Sequence, residues 1–251
     1  MAKERFDGVA FDLEGTVIDV EFVHHAAHAM VAAEAGVTID LDNLEDVLVK
    51  IPHFIGGPDD KVAEEISALS NGRMRAEEIL RRKREFYNLW IKEDVNDIKP
   101  RPGFTEVLQR LIDSGIPVAT GSLTDTDRAL FLMEKSGITR LFPKERIILR
   151  EDVKELKPAM DVYLKTAERM GIDPSRQLVF EDSPNGIRAA IRAGSVAVGM
   201  PVYNRPPVIA ALLEAGARKI FTDWRAVNIE SLIKGEFESP QNIEKPEGFL
   251  K

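Results

Sequence analysis

In the stretch FDLEGTVID, the carboxylates Asp12 and Glu14 stand two residues apart, directly behind a short apolar run. Thr120, Gly121 and Ser122 close a second apolar run, and Glu181, Asp182 and Ser183 close another. Lys157-Pro158 precedes a helical pattern that begins near Asp161. Four carboxylates gathered in a low-dielectric crevice could not all stay ionised and unpaired. A hard divalent cation with oxygen ligands relieves that repulsion, and Mg2+, which leaves room for water and substrate, is the natural choice. A Mg2+, one lysine and a cluster of hydroxyl and amide donors make a receptor for a phosphoryl group, whose charge lies on its oxygens during transfer. One carboxylate would then be free to attack phosphorus and a second to carry protons.

Those groups meet only if the elements around them place them together. Short β-branched apolar segments recur at Val9–Phe11, Pro117–Thr120, Ile147–Leu149, Leu178–Phe180, Val196–Val198 and Lys219–Phe221. Amphipathic stretches such as Phe104–Ser114, Thr126–Ser136, Asp161–Met170 and Ile187–Ala193 lie between most of them. That alternation predicts an α/β fold, a Rossmann-like parallel sheet with helices on both faces. In open sheets of this kind ligands bind outside the carboxyl ends of the strands, where all the groups above fall. From about Val20 to Lys99 the pattern is helical only, over Glu21–Ala35, Leu44–Val49, Asp60–Leu69 and Ala76–Ile91. The organisation expected is a core of residues 1–17 and 101–235, an inserted all-helical cap of residues 18–100, and a loosely held tail of residues 236–251. The two connectors, near Val17–Asp19 and Ile98–Gly103, would serve as hinges.

The four segments resemble the four motifs of the haloacid dehalogenase (HAD) superfamily, in its branch of phosphatases and phosphomutases with a helical cap of the C1 type. FDLEGTVID is similar to the D-x-D-G-T motif, VATGS to the apolar run ending in Ser or Thr, KPAMDVY to the Lys-Pro segment, and FEDSPNGIRAAIRAG to the acidic fourth motif. The resemblance implies that Asp12 is a nucleophile forming an aspartyl-phosphate. It makes Glu14 the acid/base that protonates the leaving oxygen and then activates water. It assigns Mg2+ to the Asp12 carboxylate, the Glu14 backbone carbonyl and Asp182, with Glu181 joining directly or through water. Thr120 and the Gly121 amide would bind phosphoryl oxygens, Lys157 would neutralise Asp12 and the phosphate, and His24 would touch substrate from the cap. Glu14 departs from the family's aspartate, and Met160 stands where proline is usual.

The resulting expectation is a Mg2+-dependent phosphatase of a small phosphorylated metabolite. Its alternatives are a phosphomutase of the β-phosphoglucomutase type, a phosphonate hydrolase using Lys50 or Lys61, and a weak family member that only binds a phosphorylated ligand or a partner protein. Plainer readings stand beside several features. The run Arg81-Arg82-Lys83-Arg84 is read as a solvated helix face, because charge runs usually face water. His24 and His28, four apart on one helix, are read as structural or solvated. Residues 51–61 (IPHFIGGPDDK) suit a specificity loop or a plain turn equally.

Composition closes off other classes. The chain has 251 residues, no cysteine and a net charge of −8. Disulfides, thiolate nucleophiles and Cys-ligated zinc are thereby excluded, and general nucleic-acid binding is disfavoured. The charged start MAKERFDG shows no secretory signal, and no apolar run approaches the ~18 residues a membrane span needs. A cytoplasmic protein with no membrane partner is expected, with a monomer favoured. No G-x-x-x-x-G-K-[ST] or G-x-S-x-G appears, so neither a P-loop nor a serine hydrolase is supported.

Overall fold

The apolar segments that alternate with helical patterns come together as one six-stranded sheet. The structure is a computed structural model and describes residues 5–55, 57–93 and 98–237. The strands are β1 (Gly8–Phe11), β2 (Val118–Gly121), β3 (Ile147–Ile148), β4 (Gln177–Glu181), β5 (Val196–Gly199) and β6 (Lys219–Ile220). All pairs are parallel, in the spatial order β3-β2-β1-β4-β5-β6. Parallel strands need helical crossovers and are therefore covered on both faces. Successive side chains of one strand accordingly enter different cores. Val9 and Phe11 join the cluster of Phe104, Phe180 and Trp224, whereas Ala10 joins Val162, Tyr163 and Ile187.

Four helices fill the stretch from residue 21 to residue 93 that follows β1: α1 (Glu21–Glu34), α2 (Leu44–Lys50), α3 (Asp59–Leu69) and α4 (Ala76–Glu93). They enclose a separate apolar core of Val31, Val47, Ile51, Phe54, Ile66 and Ile79. The remaining helices flank the sheet: α5 (Phe104–Asp113), α6 (Thr126–Lys135), α7 (Asp161–Met170), α8 (Pro184–Arg192), α9 (Pro206–Glu214) and α10 (Ile229–Ile233). In α5 the buried residues Phe104, Val107, Leu108 and Leu111 recur at helical spacing and face the sheet. Two starts near the strand ends are capped by side chains: Asp125 accepts from the Arg128 amide, and Ser183 accepts from the Gly186 amide ahead of Pro184. Among the described residues no helix is long and apolar enough to cross a membrane.

The connectors are tighter than hinges alone would be. The amides of Val17 and Ile18 both donate to Leu13 O, and Ile18 bridges to Pro100. The tail expected at 236–251 lies outside the described residues beyond Phe237. That residue packs edge-on against Phe6 at a centroid distance of 6.0 Å, so the chain is held at least this far.

Candidate active site

β1 ends at Phe11, and the Asp12 amide continues the ladder by donating to Phe180 O at 3.0 Å. This places the Asp12 carboxyl at the carboxyl edge, next to the end of β4. Lys157 Nζ bridges the two strands, donating to Asp12 Oδ1 at 2.5 Å, Glu181 Oε1 at 2.6 Å and Gly121 O at 3.0 Å. Burial opposes the Lys157 charge, but the Asp12 and Glu181 carboxylates outweigh it and raise its pKa. Glu181 is fully enclosed and also accepts from Tyr163 Oη (2.7 Å), the Ser183 amide (3.1 Å) and Ser183 Oγ (3.0 Å). A Cβ at residue 186 would lie 1.7 Å from Glu181 Oε1, so Gly186 lets helix α8 start directly over that carboxylate. Both Glu181 oxygens thus accept from protein donors, and Oε1 lies against Lys157.

Asp182 stands on the other side of Asp12. Thr16 Oγ1 donates to its Oδ1 at 3.1 Å. Oxygens of Asp12, Glu181 and Asp182 lie within 4.8 Å of one another. Burial and the Glu181 charge push Asp182 up to about 8, and burial also pushes Asp12 upward although Lys157 pulls against it. Three crowded carboxylates, Asp182 half-buried and the other two buried, gather on one lysine, an arrangement that fits a hard cation at Asp12 and Asp182.

Glu14 reaches away from this cluster toward the cap. It accepts from Tyr87 Oη and from Thr124 Oγ1 (2.5 Å), with Arg128 Nε at 3.4 Å and His24 Nε2 at 3.8 Å. Burial would raise its pKa, but His24, Arg128 and Thr124 outweigh burial and hold it at about 2. The Tyr87 hydroxyl is raised by burial and by the Glu14 charge, so it remains a donor.

The Thr120 hydroxyl is buried at the end of β2 and is not part of the wall of the larger crevice. A cavity of about 660 Å³ is lined by Asp12, Glu14, Ser122, Thr124, Lys157 and Asp182, among others, and by neither Thr120 nor Gly121. Thr120 lies two residues after Val118 and shares its core-facing side of β2. It is fully buried, and its Oγ1 has no hydrogen-bond partner. Ser122 and Thr124, bonded to each other at 3.0 Å, bring hydroxyls to the crevice just past the strand end. Gly121 contributes its carbonyl to Lys157, and a Cβ there would press on Thr166 at 3.0 Å.

A second cavity, of about 300 Å³, opens between cap and core beyond Asp182 and Ser183. Its cap wall includes His24, His25, His28, Phe54 and Asp59, and its core wall includes Tyr203. Residues 51–61 therefore do reach the cleft through Phe54 and Asp59, while Gly56 lies outside the described residues. Within the basic run Arg81 and Arg84 are exposed as expected, but Lys83 is not. It is 2% exposed and donates to Asp59 Oδ2 at 2.6 Å, with His24 Nδ1 at 2.7 Å. The signal was its spacing, since Ile79, Lys83, Tyr87 and Ile91 stand four apart on the buried side of α4. His28 is buried as well and pairs with Asp59 at 3.0 Å. Lys50 and Lys61 pair with Asp46 and Glu64 on the cap surface. Tyr87, Thr124, Arg128 and Tyr163 carried no sequence signal, because each acts through a partner distant in the chain.

A family model for haloacid dehalogenase-like hydrolases matches residues 6–194, which span both the sheet edge and the inserted helices. The chain belongs to the haloacid dehalogenase-like hydrolases. Two relatives are a phosphorylated carbohydrates phosphatase of Thermotoga maritima and a fructose-1-phosphate phosphatase of Escherichia coli. The first is 29% identical over 89% of this chain and 97% of its own. The second is 29% identical over 78% of this chain and 96% of its own. A HAD family hydrolase of Deinococcus radiodurans, solved with bound phosphate and sodium, superposes with a TM-score of 0.73. It is 26% identical, covering 93% of this chain and 98% of that one. For this HAD hydrolase, the parallel core with a helical insertion is thus the family architecture.

Proposed function

We propose that this HAD hydrolase is a Mg2+-dependent phosphatase of small phosphorylated metabolites, with phosphorylated carbohydrates as the first class to try. The observation that carries the reading is Asp12 held by Lys157 at 2.5 Å within the Asp12–Glu181–Asp182 cluster, at the strand edge beneath the cap. Asp12 would attack phosphorus, and Lys157 would offset charge on both partners in the attack. Asp12, Asp182 and the Glu14 carbonyl would hold Mg2+, which supplies charge neutralisation for the phosphoryl oxygens. Ser122 and Thr124 would offer hydroxyls to phosphate from the β2 edge, beside the unpartnered Thr120 hydroxyl. Glu14, kept ionised by its cap and core partners, is in the form that takes a proton from water in the second half-reaction. Protonating the leaving oxygen in the first half requires weaker contact with Tyr87 and His24, which a leaving group entering between core and cap would bring about. The carbohydrate class is supported by relatives of that activity and by a cap cavity whose charges are paired internally, Asp59 with Lys83 and His28.

The test is phosphate release from p-nitrophenyl phosphate and from a panel of phosphorylated sugars, with and without Mg2+. Release that needs a divalent metal and disappears in Asp12→Asn is the expected result. Turnover surviving in Asp12→Asn, or absent with every divalent metal tried, would sink the reading.

A further inference from the structure

Three consecutive backbone carbonyls, from the turn after β1 to the first connector, are each held by a core group. Arg101 Nη1 donates to Gly15 O at 2.8 Å, Trp224 Nε1 to Thr16 O at 3.0 Å, and the Arg101 amide to Val17 O at 2.7 Å. The same guanidinium donates to Met200 O at 2.7 Å, Pro201 O at 3.0 Å and Thr222 O at 3.3 Å. Arg101 is 7% exposed and its pKa is lowered by burial, though the Asp182 charge counters this. No carboxylate accepts from its side chain among the described hydrogen bonds; its side-chain acceptors are four carbonyls. A rigid planar fork with five donors suits that task, and an ammonium does not.

The two loops so joined do different work. The Gly15–Thr16 turn lies against Asp182: a Cβ at residue 15 would stand 2.3 Å from Asp182 Oδ2, and Thr16 Oγ1 bonds Oδ1. The loop after Pro201 carries Tyr203, which lines the cap cavity, with its hydroxyl 3.0 Å from His25 Nε2 and its ring stacked on His25. We propose that Arg101 is a positioning residue that locks the metal side of the site and the cap-facing wall into one fixed relation. The assignment of tasks to the two loops rests on the phosphatase reading; the lock itself does not. Trp224 would hold only the first loop by hydrogen bonding, because its indole N–H donates to Thr16 O.

Arg101→Lys, Arg101→Met and Trp224→Phe test this, each verified as folded by circular dichroism before use. Mn2+ affinity is measured by electron paramagnetic resonance without substrate, and kcat and KM for the best phosphorylated sugar at saturating metal. Both Arg101 variants should bind Mn2+ about tenfold more weakly, the loss typical of removing a group that orients a metal ligand. Their KM should rise several-fold while kcat changes by less than about threefold, since the reacting groups remain. Trp224→Phe should weaken Mn2+ by about threefold and leave KM unchanged, a split that general destabilisation would not produce. If Arg101→Met fails to fold, Arg101→Lys and Trp224→Phe carry the test. Mn2+ affinity in folded Arg101→Lys equal to wild type, a loss confined to kcat, or a KM rise in Trp224→Phe matching that of the Arg101 variants overturns the proposal. A wild-type protein without phosphatase activity would remove the phosphatase reading, while a Mn2+ loss in Arg101→Lys would still support the lock.

Discussion

Glu14 carries the tension of this site. Its carboxylate is gripped by two core side chains, Thr124 and Arg128, and by two cap side chains, Tyr87 and His24. The extra methylene relative to aspartate lengthens its reach toward the cap, and its partners are found there. Removing the Tyr87 hydroxyl deletes one donor that favours the ionised form, so Tyr87→Phe should move the acidic limb of the pH–kcat/KM profile upward. An unchanged limb would mean that Glu14 does not govern that ionisation. Glu14→Gln should cut kcat by about a hundredfold or more, the usual scale of general acid–base catalysis, with Mn2+ affinity within about twofold. Lys83 belongs to the same scale. Lys83→Met removes one of the two partners of Asp59, whose side chain is 41% exposed and keeps His28. The loss should be about 1–2 kcal/mol, below the ~3–5 of a fully buried pair, because water reaches the carboxylate left behind. Denaturant midpoints measure it.

At the scale of elements, the turn between β1 and α1 does what neither element could. Gly15 sits at φ +83°, in the left-handed region, and its missing Cβ is what allows Asp182 to come close. Gly15→Ala adds roughly 1–2 kcal/mol of backbone strain and a direct clash with the Asp182 carboxylate. Thermal melts should show lowered stability, and Mn2+ binding should fall further than stability alone accounts for. A variant with intact metal affinity would show that the turn can shift without moving Asp182. The sheet core under this turn is ordinary by contrast. Phe11 is fully buried against Phe104, Phe180 and Trp224, and Phe11→Ala should cost ~3–5 kcal/mol without a selective effect on metal binding.

Across the whole molecule, polar groups join cap and core at the cleft through Glu14 with Tyr87 and His24, and through Tyr203 with His25. Beside the second lies Glu21, which burial and the Asp19 charge push from 4.5 up to about 7. A carboxyl raised on folding stabilises the protonated native state. Its contribution is fully present below pH 4.5 and is lost as pH rises through about 7. His25 acts in the opposite sense, held down from 6.5 to about 4 chiefly by burial, so its contribution is lost as pH falls through that window. The melting temperature of Glu21→Gln minus that of wild type should therefore increase between pH 4.5 and 7.5. A flat difference would place Glu21 in a solvated setting.

The sequence alone determined the period of each element and the order of the chemical groups. All six strands lie where β-branched runs stand between helical patterns, and α7 spans Asp161–Met170 as its amphipathic spacing requires. Asp12, Lys157 and Asp182 were legible because strand ends and a Lys-Pro segment mark them locally. Tertiary structure decided what depends on which way a side chain turns and on what meets it. Thr120 is buried within β2, whereas Ser122, one residue past the strand end at Gly121, lines the crevice, a boundary that no local pattern marks. Lys83 is buried because Asp59 and His24 wait for it from other helices, and Arg101 matters through carbonyls that lie 86 to 121 residues away. Period and composition act over a few residues, whereas pairing of buried charge is settled only when distant segments are packed together.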